Sequence, residues 1–288
     1  MANDYVIITD SGSDLSKELS EEIGVRIVPL SYSLDGGDPL PGDKVDLKEF
    51  YAALRNGSTA TTSAANLDDF TQIFSEYAKQ NIDVLYIGFS SGLSSTSSTG
   101  RLAASEVSEE YPDVKLYAVD TLCASLGQGM MVYLAAQMKK EGKSIEEVRD
   151  WVEENKLNLC HHFTVNDLFF LKRGGRVSAA TAVVGSMLSI KPLLHVDDEG
   201  HLISIGKARG RKASIDGLFK AMENTAIAPE TQTVFISHGD CEDEAMILAD
   251  MIREKLGPVD VKLGCIGPVI GAHSGPGTIA LFFLGNKR

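Results

Sequence analysis

Three stretches, far apart in the chain, carry hydroxyl and imidazole groups at spacings that can do chemistry. The first is Gly88-Phe89-Ser90-Ser91-Gly92-Leu93-Ser94-Ser95-Thr96, delivered by the apolar run Val84-Leu85-Tyr86-Ile87 and followed by the helix-compatible segment Arg101 to Glu106. Strand, loop and helix in that order gather amides and hydroxyls at a helix N-terminus, whose dipole favours anions. Two chemistries fit. The loop can cradle a phosphate or carboxylate, or it can be a nucleophile elbow, since Gly88-Phe89-Ser90-Ser91-Gly92 satisfies G-x-S-x-G. The elbow would use Ser90 as nucleophile, an acid such as Asp240, and His273 as base, which reproduces the hydrolase chain order. Two features weigh against it. Ser94 to Thr99 is all hydroxyls where an elbow's helix packs small and apolar residues, and no His-Gly oxyanion motif precedes Ser90, His161 being the first histidine.

The second stretch, Ser58-Thr59-Ala60-Thr61-Thr62-Ser63, is a run of hydroxyls without charge, set before a helix that Asn66 caps. It reads either as a plain loop or as part of an anion site beside the first cluster. The third is the glycine-dense tail from Gly267 to Thr278, holding His273. Glycines let backbone approach a ligand closely. An imidazole in a small-residue surround can donate to an anion, or make a structural hydrogen bond.

Other motifs fail. Gly200…Gly206-Lys207-Ala208 has one residue too many for a P-loop and ends in alanine, and no G-x-G-x-x-G follows a strand. Cys160-His161-His162 lacks a second ligand group at metal spacing, so no metal is expected. The four cysteines form no C-x-x-C pair and are expected to be buried thiols. A net charge of −13 opposes binding to nucleic acid or anionic membranes. Two basic runs are local exceptions: Lys207, Arg209, Arg211 and Lys212, and Lys172, Arg173 and Arg176 beside Gly174-Gly175. Each is either a solvated face or a dock for an acidic partner. With no apolar run of about 18 residues and no secretory pattern at Met1-Ala2-Asn3-Asp4, neither membrane insertion nor export is expected, and the protein is placed in the cytoplasm.

The elements that must position these groups alternate strand and helix. Strands are expected at Tyr5 to Thr9, Arg26 to Tyr32, Val84 to Ile87 and Val114 to Asp120, with helices at Leu15 to Ile23, Leu47 to Leu54, Leu67 to Lys79, Leu122 to Lys139 and Ser144 to Glu154. Asp10 and Ser11 then sit at the carboxyl end of a strand, where parallel sheets place ligands, and Ser13 or Asp14 reads as a helix cap. The pattern shifts between Lys156 and Cys160. Beyond it, strands are expected at Ile190 to Val196, His201 to Ile205, Thr233 to Ile236 and Val259 to Cys265, with helices at Ala179 to Leu188, Ser214 to Met222 and Glu242 to Leu256. Asp197-Asp198-Glu199-Gly200 is a hairpin turn, which makes this second sheet partly antiparallel. The expectation is an α/β protein of two domains. Residues 1–157 carry a mostly parallel sheet with helices on both faces, and residues 158–288 an α/β domain with a mixed sheet.

Over essentially its whole length the chain resembles the DegV family. The blocks that carry the resemblance are Thr9 to Leu15, Thr62-Ser63, Ser90 to Thr96, Val119-Asp120 with Ala124 to Gly127, Leu171 to Arg176, Ile190-Lys191-Pro192 and Ile266 to Gly277. The resemblance implies a carrier without catalysis of its own. It would bury a long-chain fatty acid in a tunnel and present the carboxylate to a fatty acid kinase that makes an acyl phosphate. The positions matching the family's carboxylate site are Thr62, Ser94 and His273, with Ser63 and Ser91 as further hydroxyls of the same blocks and Arg173 at the site's edge. Where the family commonly has Thr-Ser-Gln-Pro-Ser, this chain has Thr62-Ser63-Ala64-Ala65-Asn66, and Ser95 stands in place of a common glycine.

Overall fold

The structure is a computed structural model that describes residues 4–42, 44–177 and 190–288. The first part of the chain runs β1 (Tyr5–Asp10), α1 (Lys17–Glu22), β2 (Val25–Val28), β3 (Ser31–Leu34), β4 (Leu40–Pro41), α2 (Leu47–Arg55), β5 (Ala60–Ser63) and α3 (Leu67–Ala78). Then come β6 (Asp83–Gly88), α4 (Thr96–Glu110), β7 (Leu116–Asp120), α5 (Leu126–Lys140) and α6 (Ile145–Asn155). The remainder comprises β8 (Leu159–Thr164), α7 (Leu168–Arg173), β9 (Ile190–Val196), β10 (Leu202–Arg209), α8 (Arg211–Thr225), β11 (Thr233–His238), α9 (Glu242–Leu256), β12 (Asp260–Cys265), α10 (Pro268–Ser274) and β13 (Ile279–Leu284).

β1 and β6 are apolar almost throughout and buried at every position, the signature of strands covered on both faces. They lie at the centre of a parallel sheet ordered β2-β1-β6-β7. Alternate side chains go to opposite cores. Val6, Ile8, Val84 and Tyr86 pack with Phe70, Phe74 and Val107 of α3 and α4, while Ile7, Leu85 and Ile87 pack with Met130, Met131 and Ala135 of α5. The second large sheet is ordered β10-β9-β8-β13-β11-β12, with antiparallel pairs except for β11 and β12. Its inner face gives Phe163, Ala280 and Phe282 to the α5 core, and its outer face packs under α8 and α9 through Val234, Ile236 and Leu281. Helix α5 is therefore sandwiched between two sheets, and the chain is an α/β fold of five layers.

The sequence placed most elements within a few residues. Ser144 forms the full capping box with Glu147 at the start of α6, and Asn66 caps α3 through the Asp69 N–H. Three readings are corrected. Arg26 to Tyr32 is not one strand: it breaks after Val28 into β2, at the edge of the parallel sheet, and β3, with Pro29 in the joint, where its missing N–H costs no ladder hydrogen bond. The hydroxyl run at 58–63 is loop only at Ser58 and Thr59: Ala60–Ser63 is the strand β5, an edge of a small antiparallel sheet ordered β4-β3-β5. Neither Ser13 nor Asp14 caps α1: the cap is Ser16, whose Oγ accepts from the Leu19 N–H, because the chain first makes a short turn over Ser11–Ser13. Elements β4, β8, α7, α10 and β13 had no separate expectation. Helix α10 is short, with Gly267 as N-cap and Pro268 at N1, a placement that costs proline no helix hydrogen bond. The expected helix at Ala179 to Leu188 lies outside the described residues. Of the four thiols, Cys123 and Cys160 are buried as expected, while Cys241 and Cys265 are half-buried.

Candidate functional site

The carboxyl ends of β6 and β7, the inner face of the mixed sheet and the small sheet enclose a cavity of about 1000 Å³, counting the part open to solvent at its mouth. This is where an open parallel sheet places a ligand. The wall is mainly apolar, from Leu30, Phe89, Phe163, Val196, Val269 and Phe282 among others. Set into it are Thr62, Ser63, Ser94, Ser95, Arg176 and His273.

A chain of contacts ties these polar groups together. His273, near the end of α10, places Nε2 2.8 Å from Thr62 Oγ1 on β5. Its Nδ1 edge lies over Gly174, where an added Cβ would come within 2.1 Å of that nitrogen. Two residues on, Arg176 donates to the Gly174 carbonyl and, through Nε, to the Leu93 carbonyl at 3.3 Å, which brings it beside Ser94. Ser94 Oγ accepts from the Thr96 N–H at 3.2 Å and lies 2.9 Å from Thr96 Oγ1, at the very start of α4. The N-cap residue Ser95 makes no side-chain cap bond and the first turn holds no acidic residue, so beyond the Thr96 N–H taken by Ser94 the positive end of the helix is left for an anion.

The electrostatics favour an incoming carboxylate. Burial, with help from the Arg176 and Arg173 cations, pushes the His273 imidazole down to about 4, so the ring is neutral near pH 7. A neutral imidazole carries one N–H. If Nε2 holds it and donates to Thr62, the Thr62 hydroxyl is free to donate to a carboxylate; that tautomer leaves Nδ1, which has no hydrogen-bond partner, as a bare acceptor rather than an orphaned donor. Ser274, next along, also lines the cavity with a buried and unpartnered Oγ.

The structure brings together four of the six expected residues: Thr62, Ser63, Ser94 and His273. Ser91 is outside the lining; it is exposed, and its N–H donates to Asp120 at 3.3 Å. Arg173 is also outside, its guanidinium lying over the Phe170 ring at 4.9 Å. Arg176 is the arginine of that basic run that reaches the cavity. The sequence signal was Gly174-Gly175-Arg176: a glycine with an ordinary helical φ of −71° is needed for space, not for turning, and the space belongs to His273. Sequence reasoning likewise missed Ser95 and Ser274. The tail's glycines serve the protein more than a ligand, for a Cβ at Gly271 would lie 2.7 Å from Tyr51 Oη.

The elbow triad is not assembled. Ser90 is wholly buried, and its Oγ donates to the Gly200 carbonyl at 2.9 Å. Asp240 pairs with Arg55, and His273 with Thr62. Both glycines of G-x-S-x-G have steric causes: a Cβ at Gly88 would meet the Tyr86 ring at 2.7 Å, and one at Gly92 the Glu199 carbonyl at 2.7 Å. Beneath the loop, the fully buried Asp10 accepts from Tyr86 Oη (2.7 Å), from the N–H groups of Phe89 and Gly12 (3.0 Å each) and from Gln128 Nε2 (3.1 Å). It fixes the strand-to-loop corner. Among the described residues, no group of three His, Cys, Asp or Glu side chains can hold a metal, and no helix is long and apolar enough to cross a membrane.

Comparison with known proteins fits this geometry. The sequence profile of the DegV family, described as uncharacterised proteins, matches residues 4–286. A DegV domain-containing protein of Clostridium perfringens is 47% identical over 286 residues, covering 99% of this chain and 98% of its own. Among solved structures, a Thermus thermophilus DegV-family protein described for its fatty acid binding superposes with a TM-score of 0.89 at 32% identity, covering 99% of this chain and 100% of that one. DegV of Bacillus subtilis, described as a fatty acid binding protein, gives a TM-score of 0.85 at 28% identity, with 99% and 100% covered. By sequence and by fold along nearly its entire length, the chain belongs to the DegV family.

Proposed function

We propose that this protein binds a long-chain fatty acid with its carboxylate at the Thr62–Ser94–His273 cluster and its hydrocarbon along the apolar wall, and presents that carboxylate to a fatty acid kinase in the cytoplasm. The kinase would transfer a phosphoryl group to the carboxylate oxygen, giving an acyl phosphate. The ligand lies where two units, residues 1–157 and 158–288, face each other across α5. One observation carries the reading: a mainly apolar cavity whose polar lining includes hydroxyls, a neutral imidazole and one arginine, at a helix start whose N-cap residue makes no side-chain bond. The fatty acid binding described for the Thermus and Bacillus relatives supports it.

The energetics suit a carrier. Each buried methylene contributes about 0.8 kcal/mol, so roughly fourteen of them give on the order of 10 kcal/mol before the cost of ordering the chain. The buried carboxylate must then be met by donors, since an unpaired one costs several kcal/mol. Thr62, Ser94 and Ser95 hydroxyls and the α4 amides are such donors. Positioning needs no base beside a nucleophile, in contrast to hydrolysis. Solvent extraction of the purified protein followed by mass spectrometry is expected to release close to one fatty acid per chain. Protein that comes out empty and stays empty when incubated with octadecanoic or octadecenoic acid would refute the reading.

A further inference from the structure

The cavity wall carries a second polar feature away from the carboxylate cluster. His161 on β8 lines the cavity, is 2% exposed, and leaves Nε2 without a hydrogen-bond partner. It stands opposite Phe282 in the sheet register, and its ring meets the Phe282 ring edge-on at 4.9 Å. Thr278, Ala280 and Phe282 all line the cavity along one strand direction, so Phe282 and His161 lie about 14 Å beyond Thr278 at roughly 3.4 Å per residue. The place is deep in the hydrocarbon section.

Ser125 and Ser237, polar neighbours on this wall, are already bonded. Ser125 Oγ donates to Asp14 Oδ2 at 2.5 Å and lies 3.0 Å from Ser237 Oγ, and Asp14 also accepts from the Gly267 N–H at 2.9 Å. His161 has no such company. Space for its ring is kept by Gly127 at the start of α5, where a Cβ would lie 2.2 Å from Nε2. A buried ring nitrogen is costly when no group bonds to it, and a purely hydrocarbon ligand offers none. Phenylalanine or leucine would line a hydrocarbon tunnel without that cost. Arg288, His162 and His195 are the charged or titratable groups acting on the ring, and with burial they hold it neutral, able both to donate and to accept.

We propose that His161 makes this cavity selective for a long-chain fatty acid that carries a hydroxyl group on its hydrocarbon chain, the hydroxyl hydrogen-bonding to the imidazole. A hydroxyl is the smallest substituent that can donate to or accept from a neutral ring, whichever tautomer is present. The inference rests on the fatty acid reading above and narrows its substrate class.

The test is competitive loading of delipidated protein with octadecanoic acid and a positional series of monohydroxylated octadecanoic acids, the retained ratio being read by mass spectrometry. In the wild type, one positional isomer should be retained about tenfold over octadecanoic acid, the effect of satisfying one buried polar group. His161→Leu should abolish that preference, and His161→Gln, which keeps a hydrogen-bonding group, should restore part of it. His161→Phe serves in place of the leucine variant if that one does not fold. Octadecanoic acid retained as well as every isomer, or a preference untouched in both apolar variants, overturns the inference and leaves the fatty acid reading standing. Retention of none of these acids overturns both.

Discussion

Ser90 and Ser94 are four residues apart on one loop, and they do opposite things. Ser90 is wholly buried and spends its hydroxyl on the Gly200 carbonyl, tying the loop to the β9–β10 hairpin turn. Ser94 is half-buried at the start of α4, with its hydroxyl on the cavity. The residue that matches a catalytic signature serves the fold, and the one without a signature lines the cavity. A motif specifies residue types; the partners decide which hydroxyl is available.

The strongest way to break this contrast is to remove hydroxyls on each side of it. Thr62→Ala with Ser94→Ala should weaken octadecanoic acid binding about a hundredfold, at roughly 1.5 kcal/mol for each hydrogen bond to a charged group, with little change in melting temperature. Ser90→Ala should do the reverse. It orphans the buried Gly200 carbonyl and should cost about 1–3 kcal/mol of stability while leaving affinity unchanged, as measured by denaturant unfolding and calorimetric titration. Equal losses of affinity in both variants would erase the distinction.

A smaller effect is expected at Gly174. Its backbone suits alanine, so Gly174→Ala acts only through the methyl group that would strike His273 Nδ1. Affinity should fall about tenfold, the worth of one displaced partner to a charged group, while secondary structure by circular dichroism stays the same. Unaltered affinity would remove His273 from the site.

Asp14 offers the subtlest test, on the side of the fold. Burial pushes its carboxyl up to about 7, against the hydrogen bonds from Ser125 and Gly267. A folded-state pKa above the unfolded value means that the folded chain holds a proton the unfolded chain has lost. The contribution to stability is present in full below about pH 4 and disappears as the pH rises through about 7. The melting-temperature difference between Asp14→Asn and wild type should therefore grow in favour of the variant from pH 5 to pH 8. A difference that is flat with pH would show that Asp14 ionises normally.

Much of the fold could be read from the chain because local signals and burial agree there. Tyr5 to Asp10 is apolar enough to be covered twice, Ser144 and Glu147 form their capping box, and Asp197 to Gly200 make the hairpin turn. The misses share a cause: the deciding partner is remote in sequence. Helix α10 can lodge against Tyr51 only because Gly271 has no side chain, and that contact spans more than two hundred residues. For the site, residue types singled out the two hydroxyl clusters and His273, and the DegV resemblance picked out Thr62, Ser63 and Ser94 within them. The choice between Arg173 and Arg176 could not come from composition. Both are basic and flank the same glycine pair; only the fold sends one over Phe170 and the other to the Leu93 carbonyl.

Helix α5 has a consequence for how the chain is made. Its buried residues surround it, including Met130, Met131, Val132, Ala135 and Ala136, and the two sheets that cover it are built from opposite halves of the sequence. As the chain leaves the ribosome, β1, β2, β6 and β7 can shelter one side of α5 while the other stays bare until Leu159 to Leu284 has followed. A nascent chain stalled near residue 157 would expose that stripe to any sticky neighbour. Truncations at that point should therefore accumulate as aggregates rather than as a smaller folded domain.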